Sequence, residues 1–170
     1  MSINNIINFV GFQIIWLAAV FGAAHQILWP CLLLTGIFAL WQLHPKHRHP
    51  NDIRVVLCAI FLGVVSDSIW QISGMIDYAS SSPSGPFAPL WIMALWISFA
   101  LTFNHSLAWI TKTPWQAALF GLLGAPLSYW AGSRFGALDY LLNGWISSVI
   151  LGLSWAFIVW FLSVQSNKLT

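Results

Sequence analysis

Apolar residues run along this chain in long blocks, not in the strict alternation of a half-buried strand or the one-sided stripe of a soluble helix. A bilayer core needs about 20 mostly apolar residues per crossing helix. Six stretches approach that length: residues 5–24, 27–43, 55–76, 90–110, 115–133 and 141–164. They predict an all-α, polytopic membrane protein with six transmembrane helices, forming one integral membrane domain over 1–170. Short polar segments separate them. Residues 44–52 read HPKHRHPND, and Pro45 and Pro50 stop any helix there. Residues 79–89 read ASSSPSGPFAP, a polar loop. Thr111-Lys112-Thr113-Pro114 predicts a tight turn with proline at a helix start. The first two stretches are parted by little more than His25-Gln26. That predicts either a tight turn near the headgroups or a shorter second helix beginning at Pro30.

Composition agrees with the pattern. Of 170 residues, 59% are hydrophobic and only 6% charged, whereas a soluble domain carries about a quarter charged residues. An ordinary soluble domain, a disordered tail and a nucleic-acid binder are excluded as classes. Charge placement then orients the chain. Six spans put both termini on one side, with Lys46, Arg48, Arg54, Lys112 and Lys168, and leave only Arg134 on the other. The positive-inside rule makes the first side, and both termini, cytoplasmic. No Lys or Arg precedes the first apolar stretch, so the basic start of a cleaved signal peptide is missing. Cys31 and Cys58 are expected near opposite faces, too far apart for a bridge that needs Cα atoms within about 7 Å. Of the 12 tryptophans, Trp29, Trp41, Trp91, Trp109, Trp115 and Trp160 lie near span ends, as an interfacial belt requires.

Two spans carry small residues at every fourth position. These are Gly124, Ser128, Gly132 and Gly136 in the fifth, and Gly144, Ser148, Gly152 and Ala156 in the sixth. Such ridges let helix backbones approach closely, so these two spans are expected to pack as a tight antiparallel hairpin.

Asp67 is the most informative candidate for chemistry. A carboxyl at mid-span costs about 2.5–3.5 kcal/mol on insertion scales, so it should face the bundle interior. Gly63, Trp70, Gln71 and Gly74 share its helical face. One reading is a proton-responsive or ligand-contacting acid; the other is a hydrogen-bonded lock between helices. Trp70, Trp96, Tyr129 and Trp130 fall at its level or toward the outer face, suggesting a pocket for an amphipathic or cationic ligand. Aromatic core packing is the competing account. Ser98, Thr102, His105 and Trp109 form one face of the fourth span, with Asn104 and Ser106 beside it. His105 lies nearly two turns from the level of Asp67, so it reads first as an inter-helix hydrogen-bond partner; a water or Gln13 could bridge the two. The candidate ligand-binding residues are thus Asp67, Trp70, Gln71, Trp96, His105 and Tyr129. Arg134 is expected to pair with Asp77 or Asp139, or to meet a lipid headgroup. His44, His47 and His49 offer imidazoles, but their prolines and cations favour a lipid-facing basic loop over a metal site. There is no GxSG with a paired His, no HExxH, no DxD and no Glu at all. No catalytic residue, metal or cofactor is assigned on that basis.

The run from Pro89 to Trp96, the stretch Thr102-Phe103-Asn104-His105-Ser106-Leu107-Ala108-Trp109, Gly121, and Gly124-Ala125-Pro126-Leu127-Ser128-Tyr129-Trp130-Ala131-Gly132 resemble a bacterial inner-membrane family, domain of unknown function 2878. The opening Asn8-Phe9, Gln13 to Trp16, and Gly63 to Asp67 fit it as well. The resemblance implies a small polytopic inner-membrane protein of Gram-negative bacteria without an assigned activity. Its genes would lie beside those for membrane-lipid modification and for light or oxidative stress. No catalytic residue carries over. In plan, residues 54–74 are also similar to the third helix of the rod-shape-determining D-type membrane protein. The six-helix size, with Ala19 and Ala23 in the first helix, is similar to vitamin-binding S-components of energy-coupling transporters.

The leading expectation is an inner-membrane protein that binds a lipid or small amphipathic molecule. The alternatives are a non-catalytic scaffold for a membrane protein partner and a membrane-lipid-modifying enzyme acting through Asp67 or His105.

Overall fold

The computed structural model describes residues 2–79 and 85–168. Among them are seven helices: α1 (Ile3–Ala24), α2 (Trp29–Gln42), α3 (Asp52–Ile72), α4 (Leu90–Ala100), α5 (Ala108–Thr111), α6 (Pro114–Arg134) and α7 (Gly144–Ser166). Two short strands, β1 (Ile76–Tyr78) and β2 (Leu138–Tyr140), pair antiparallel with Asp77 opposite Asp139. Part of the polar loop expected over 79–89 lies outside the described residues.

The chain is inside-out by the standards of a soluble protein. Leu40, Leu57, Phe61, Leu123 and Leu127 stand more than 60% exposed, while Asn8, Asp52 and Asp67 are fully buried. Lipid as the surrounding solvent accounts for both, because apolar side chains lose nothing there and polar groups must find partners inside. Helices α1, α3 and α7 are each long and apolar enough to cross a membrane. Helix α6 has 21 residues but is diluted by glycine, serine and glutamine. Helices α2 and α4, of 14 and 11 residues, are shorter.

Contacts fix the helix directions. β1 follows α3 and β2 follows α6, so their ladder places the C-terminal ends of α3 and α6 together. At the other end, Asn51 Nδ2 donates to the Ser166 carbonyl at 2.7 Å, and Asn8 Nδ2 donates to Gln42 Oε1 at 2.7 Å. The start of α1, the end of α2, the start of α3 and the end of α7 therefore meet there. Six helices thus alternate in direction, with the one-turn α5 completing the fourth leg. Lys46, Arg48, Arg54, Lys112 and Lys168 lie toward the end that holds the described start and finish of the chain, and Arg134 toward the other.

Two local features shape the bundle. Between α1 and α2 the chain makes a tight turn: Ile27 N–H donates to the Gly22 carbonyl at 2.7 Å, and Gln26 takes a left-handed φ of 61°. A Cβ on Gly22 would lie 2.5 Å from the Ile27 oxygen, so only glycine fits. Pro30 then opens α2 within its first turn. The second feature corrects an expectation. The fourth stretch is not one helix over 90–110, because α4 ends at Ala100 and residues 101–107 form successive turns before α5. Side chains satisfy the carbonyls that the unwinding frees. Asn8 donates to the Leu101 carbonyl at 3.0 Å and Thr111 Oγ1 to that of Phe103 at 2.6 Å, while Ser163 Oγ bonds the Thr111 carbonyl at the end of α5, at 2.6 Å.

Helices α6 and α7 form the most extensively packed pair. Their close approach takes in Gly152 from the expected ridges but not Gly124 or Gly144. It is made at Gly121, where a Cβ would sit 2.6 Å from the Trp155 carbonyl oxygen, and at Gly152, where it would sit 2.8 Å from that of Leu122. Pro126 has no N–H to offer Leu122, which frees that oxygen to face α7. A Cβ on Gly124 or Gly144 meets nothing within 4 Å, and half-buried Ser148 has its hydroxyl turned to the Gly144 carbonyl.

Candidate functional site

Asp67 sits near the C-terminal end of α3 with its side chain wholly buried. Tyr78 and Tyr129 each donate a phenol proton to Oδ1 at 2.6 Å, and the Trp96 indole donates to Oδ2 at 2.8 Å. The carboxyl is purely an acceptor, tied to α3, β1, α4 and α6 at one point. Tyr78 lies beyond the end of α3. Burial first, and then the nearby Asp67, push its phenol well above its ordinary value, so it stays protonated and donates.

Gly63, one turn before Asp67, explains how Trp96 reaches it. A Cβ at position 63 would lie 2.4 Å from three atoms of the Trp96 ring, so the indole lies flat on the bare backbone of α3. Its opposite face stacks on Trp155, with ring centroids 4.3 Å apart and planes 20° apart. Trp70 and Trp155 both meet Tyr129 edge-on, at 5.8 and 6.2 Å.

In front of this assembly lies a half-open cavity of about 380 Å³ between α1, α4, α6 and α7. Trp96, Tyr129 and Trp155 form its inner wall, with Trp16, Trp91 and Phe99 around them. Gly124, Ser128 and Gly132, expected at a helix interface, line this space instead, their small side chains leaving the room that it occupies. Exposed Gln13, Phe120 and Leu127 form the rim. No Asp, Glu, Lys, Arg or His side chain lines it. The Trp16 indole crosses from α1 to donate to Ser128 Oγ at 3.0 Å.

The expected ligand residues thus divide. Trp96 and Tyr129 stand in the wall, Asp67 sits behind them, and Trp70 braces Tyr129 from behind. Gln71 is adjacent in sequence, its buried Oε1 without a partner among the described residues. His105 belongs elsewhere. Its Nε2 donates to Asp52 Oδ2 at 2.9 Å, and Gln42 Nε2 lies 3.0 Å from the same nitrogen. Asp52 is wholly buried and also accepts from Asn104 Nδ2 at 2.9 Å and from the His49 amide at 2.8 Å. Asn8 extends this network by accepting from the Ser106 hydroxyl at 2.6 Å, and Ser166 closes it with a short bond to Asn104. No bridge through Gln13 joins the two nodes.

Other expectations shift as well. Trp130 is 59% exposed and points away from the pocket, while Trp91 is buried and donates to the Ala79 carbonyl at 3.0 Å, so it is an anchor and not a belt residue. Arg134 makes no ion pair among the described residues, where Asp52–His105 is the one recorded. His47 stacks on Trp41 with centroids 4.9 Å apart, and no three metal-ligating side chains gather among the described residues. Cys31 and Cys58 are free. Asp52, Asn8 and Trp155 were not singled out from sequence. Asn8, an amide within the first apolar stretch, carried the one usable signal; Asp52 looked like the edge of a loop, and Trp155 was one tryptophan among twelve.

The fold and cavity define a helical protein whose long apolar helices suit a membrane and whose two buried acids, Asp52 and Asp67, are hydrogen-bonded inside. The family model of a protein of unknown function, DUF2878, matches residues 5–161, and the chain belongs to that family. No curated protein and no solved structure matches it.

Proposed function

We propose that the protein is a six-crossing inner-membrane protein of bacteria, with both termini in the cytoplasm, that binds a lipid or small amphipathic molecule between α1 and α6. The cavity carries this reading. It has the size of a small-molecule site, is walled by aromatic rings, and opens through a mostly apolar rim, with Gln13 its polar member, onto the surface that faces lipid. The alternating helix directions and the gathering of five cations at one end support the crossings and their orientation.

Trp96 and Tyr129 would touch the ligand. Asp67 and Trp70 are positioning residues, holding those two rings in place. The test is native mass spectrometry of the gently extracted protein. A stoichiometric small molecule that survives in the wild type and is lost in Gly124→Leu supports the site, because a leucine there grows into open space without striking backbone. Bulk phospholipid alone, held equally by both proteins, defeats it.

A further inference from the structure

We infer that the cavity selects a neutral amphiphile bearing a single hydroxyl or carbonyl, and that Gln13 is its polar anchor. This inference rests on the binding role proposed above. Gln13 sits at the middle of α1, ten residues from Ile3 and eleven from Ala24. It is exposed on the rim, and its amide has no hydrogen-bond partner among the described residues. An unpaired amide at that depth faces hydrocarbon unless something occupies the cavity. Trp16, one turn further along the same face, is tied to Ser128. The Ser128 oxygen accepts that bond, while its own proton has no acceptor among the described residues. The rim therefore offers one amide and one hydroxyl donor, suited to a single acceptor oxygen with an optional proton.

Charge narrows the class further. The cavity wall contains no ionisable side chain other than the phenol of Tyr129, and that phenol is committed to Asp67. The Asp67 carboxyl is enclosed by Tyr78, Tyr129 and Trp96 and cannot serve as a counter-ion without breaking one of those bonds. A carboxylate, phosphate or ammonium headgroup would lose its hydration at this depth and find no opposite charge. An alcohol, ester or ketone loses far less and gains the two donors.

The experiment is electron paramagnetic resonance of the full-length protein in phosphatidylcholine nanodiscs. The probes are doxyl-labelled methyl stearate and doxyl-labelled stearic acid, the latter kept ionised at alkaline pH. The wild type is expected to show a motionally restricted population with the ester and roughly tenfold weaker retention of the ionised acid, about the worth of one good hydrogen bond or more. Gln13→Leu, a change on an exposed position, should weaken ester retention by roughly tenfold without moving the melting temperature. Equal retention of acid and ester, or an unaltered Gln13→Leu, overturns the inference. If Gly124→Leu still abolishes retention in that case, the binding role survives. No restricted population with either probe overturns both. Self-association of the wild type that Gly124→Leu abolishes would assign the cavity to a second copy, and also overturns it.

Discussion

At the scale of single residues, Asp67 acts as a lock. Three donors from three elements converge on it, and hydrogen bonds to charged groups contribute roughly 1.5–3 kcal/mol each. Tyr129→Phe removes one donor and leaves the ring in place, so it should lower stability by about 1.5–3 kcal/mol. Thermal unfolding in detergent measures this, and an unchanged melting temperature would deny the lock. Gly63→Ala is the sharper change. The methyl would occupy the place of the Trp96 ring, driving the indole off both Asp67 and Trp155. A loss of about 2–4 kcal/mol is expected, together with a shift in tryptophan emission as Trp96 leaves its enclosed site. Much of this lock was legible in the sequence. A lone acid in an apolar run must seek partners inside, and Trp96 and Tyr129 stood at its level. Tyr78 was not legible, because it reaches back from a strand that no periodicity announced.

At the scale of elements, the break after α4 was the least legible feature. Residues 90–111 contain neither proline nor glycine, so nothing in the sequence punctuates the run. The helix ends where side chains from α1 and α5 take up the Leu101 and Phe103 carbonyls, and that choice is tertiary. The ridge of small residues misled for a related reason. Spacing shows which face of α6 is small but not whether a helix or a cavity lies against it. The two cases separate by substitution. Gly121→Val should cost about 1–3 kcal/mol by prising α6 from α7, whereas Gly124→Leu should be nearly neutral; comparable losses at both sites would contradict the packing described. The α1–α2 turn allows a gain. Gln26 holds a left-handed φ that costs a side-chain-bearing residue about 1–2 kcal/mol, and Gln26→Gly relieves it at some cost in chain entropy. A net rise in melting temperature is expected.

At the scale of the whole molecule, the chain is held at both ends and loose along one side. The β1–β2 ladder ties α3 to α6 at the end near Arg134, and the Asp52 network ties α1, α2, α3, the α4–α5 turns and α7 at the other. The α1–α6 seam is joined by the Trp16–Ser128 bond and by aromatic contacts of Trp16 and Phe21 with Phe135, at 6.4 and 4.8 Å. That seam is where the cavity opens. The alternation of helix directions was legible from the length and spacing of the apolar blocks alone, because each block supplies one leg of the bundle. It yields a direct test of topology. In a background of Cys31→Ser and Cys58→Ser, an impermeant maleimide added to spheroplasts should label Arg134→Cys and spare Lys112→Cys. Labelling of both or of the reverse set would remove the six-crossing plan.

The partners of Asp67 also set an order of manufacture. They follow it by 11, 29 and 62 residues, so they leave the ribosome one after another. Tyr78 can shield the carboxyl while α3 is entering the bilayer, Trp96 arrives with α4, and Tyr129 arrives only with α6. A nascent chain halted before α6 would therefore carry an acid that still lacks the last of its three donors.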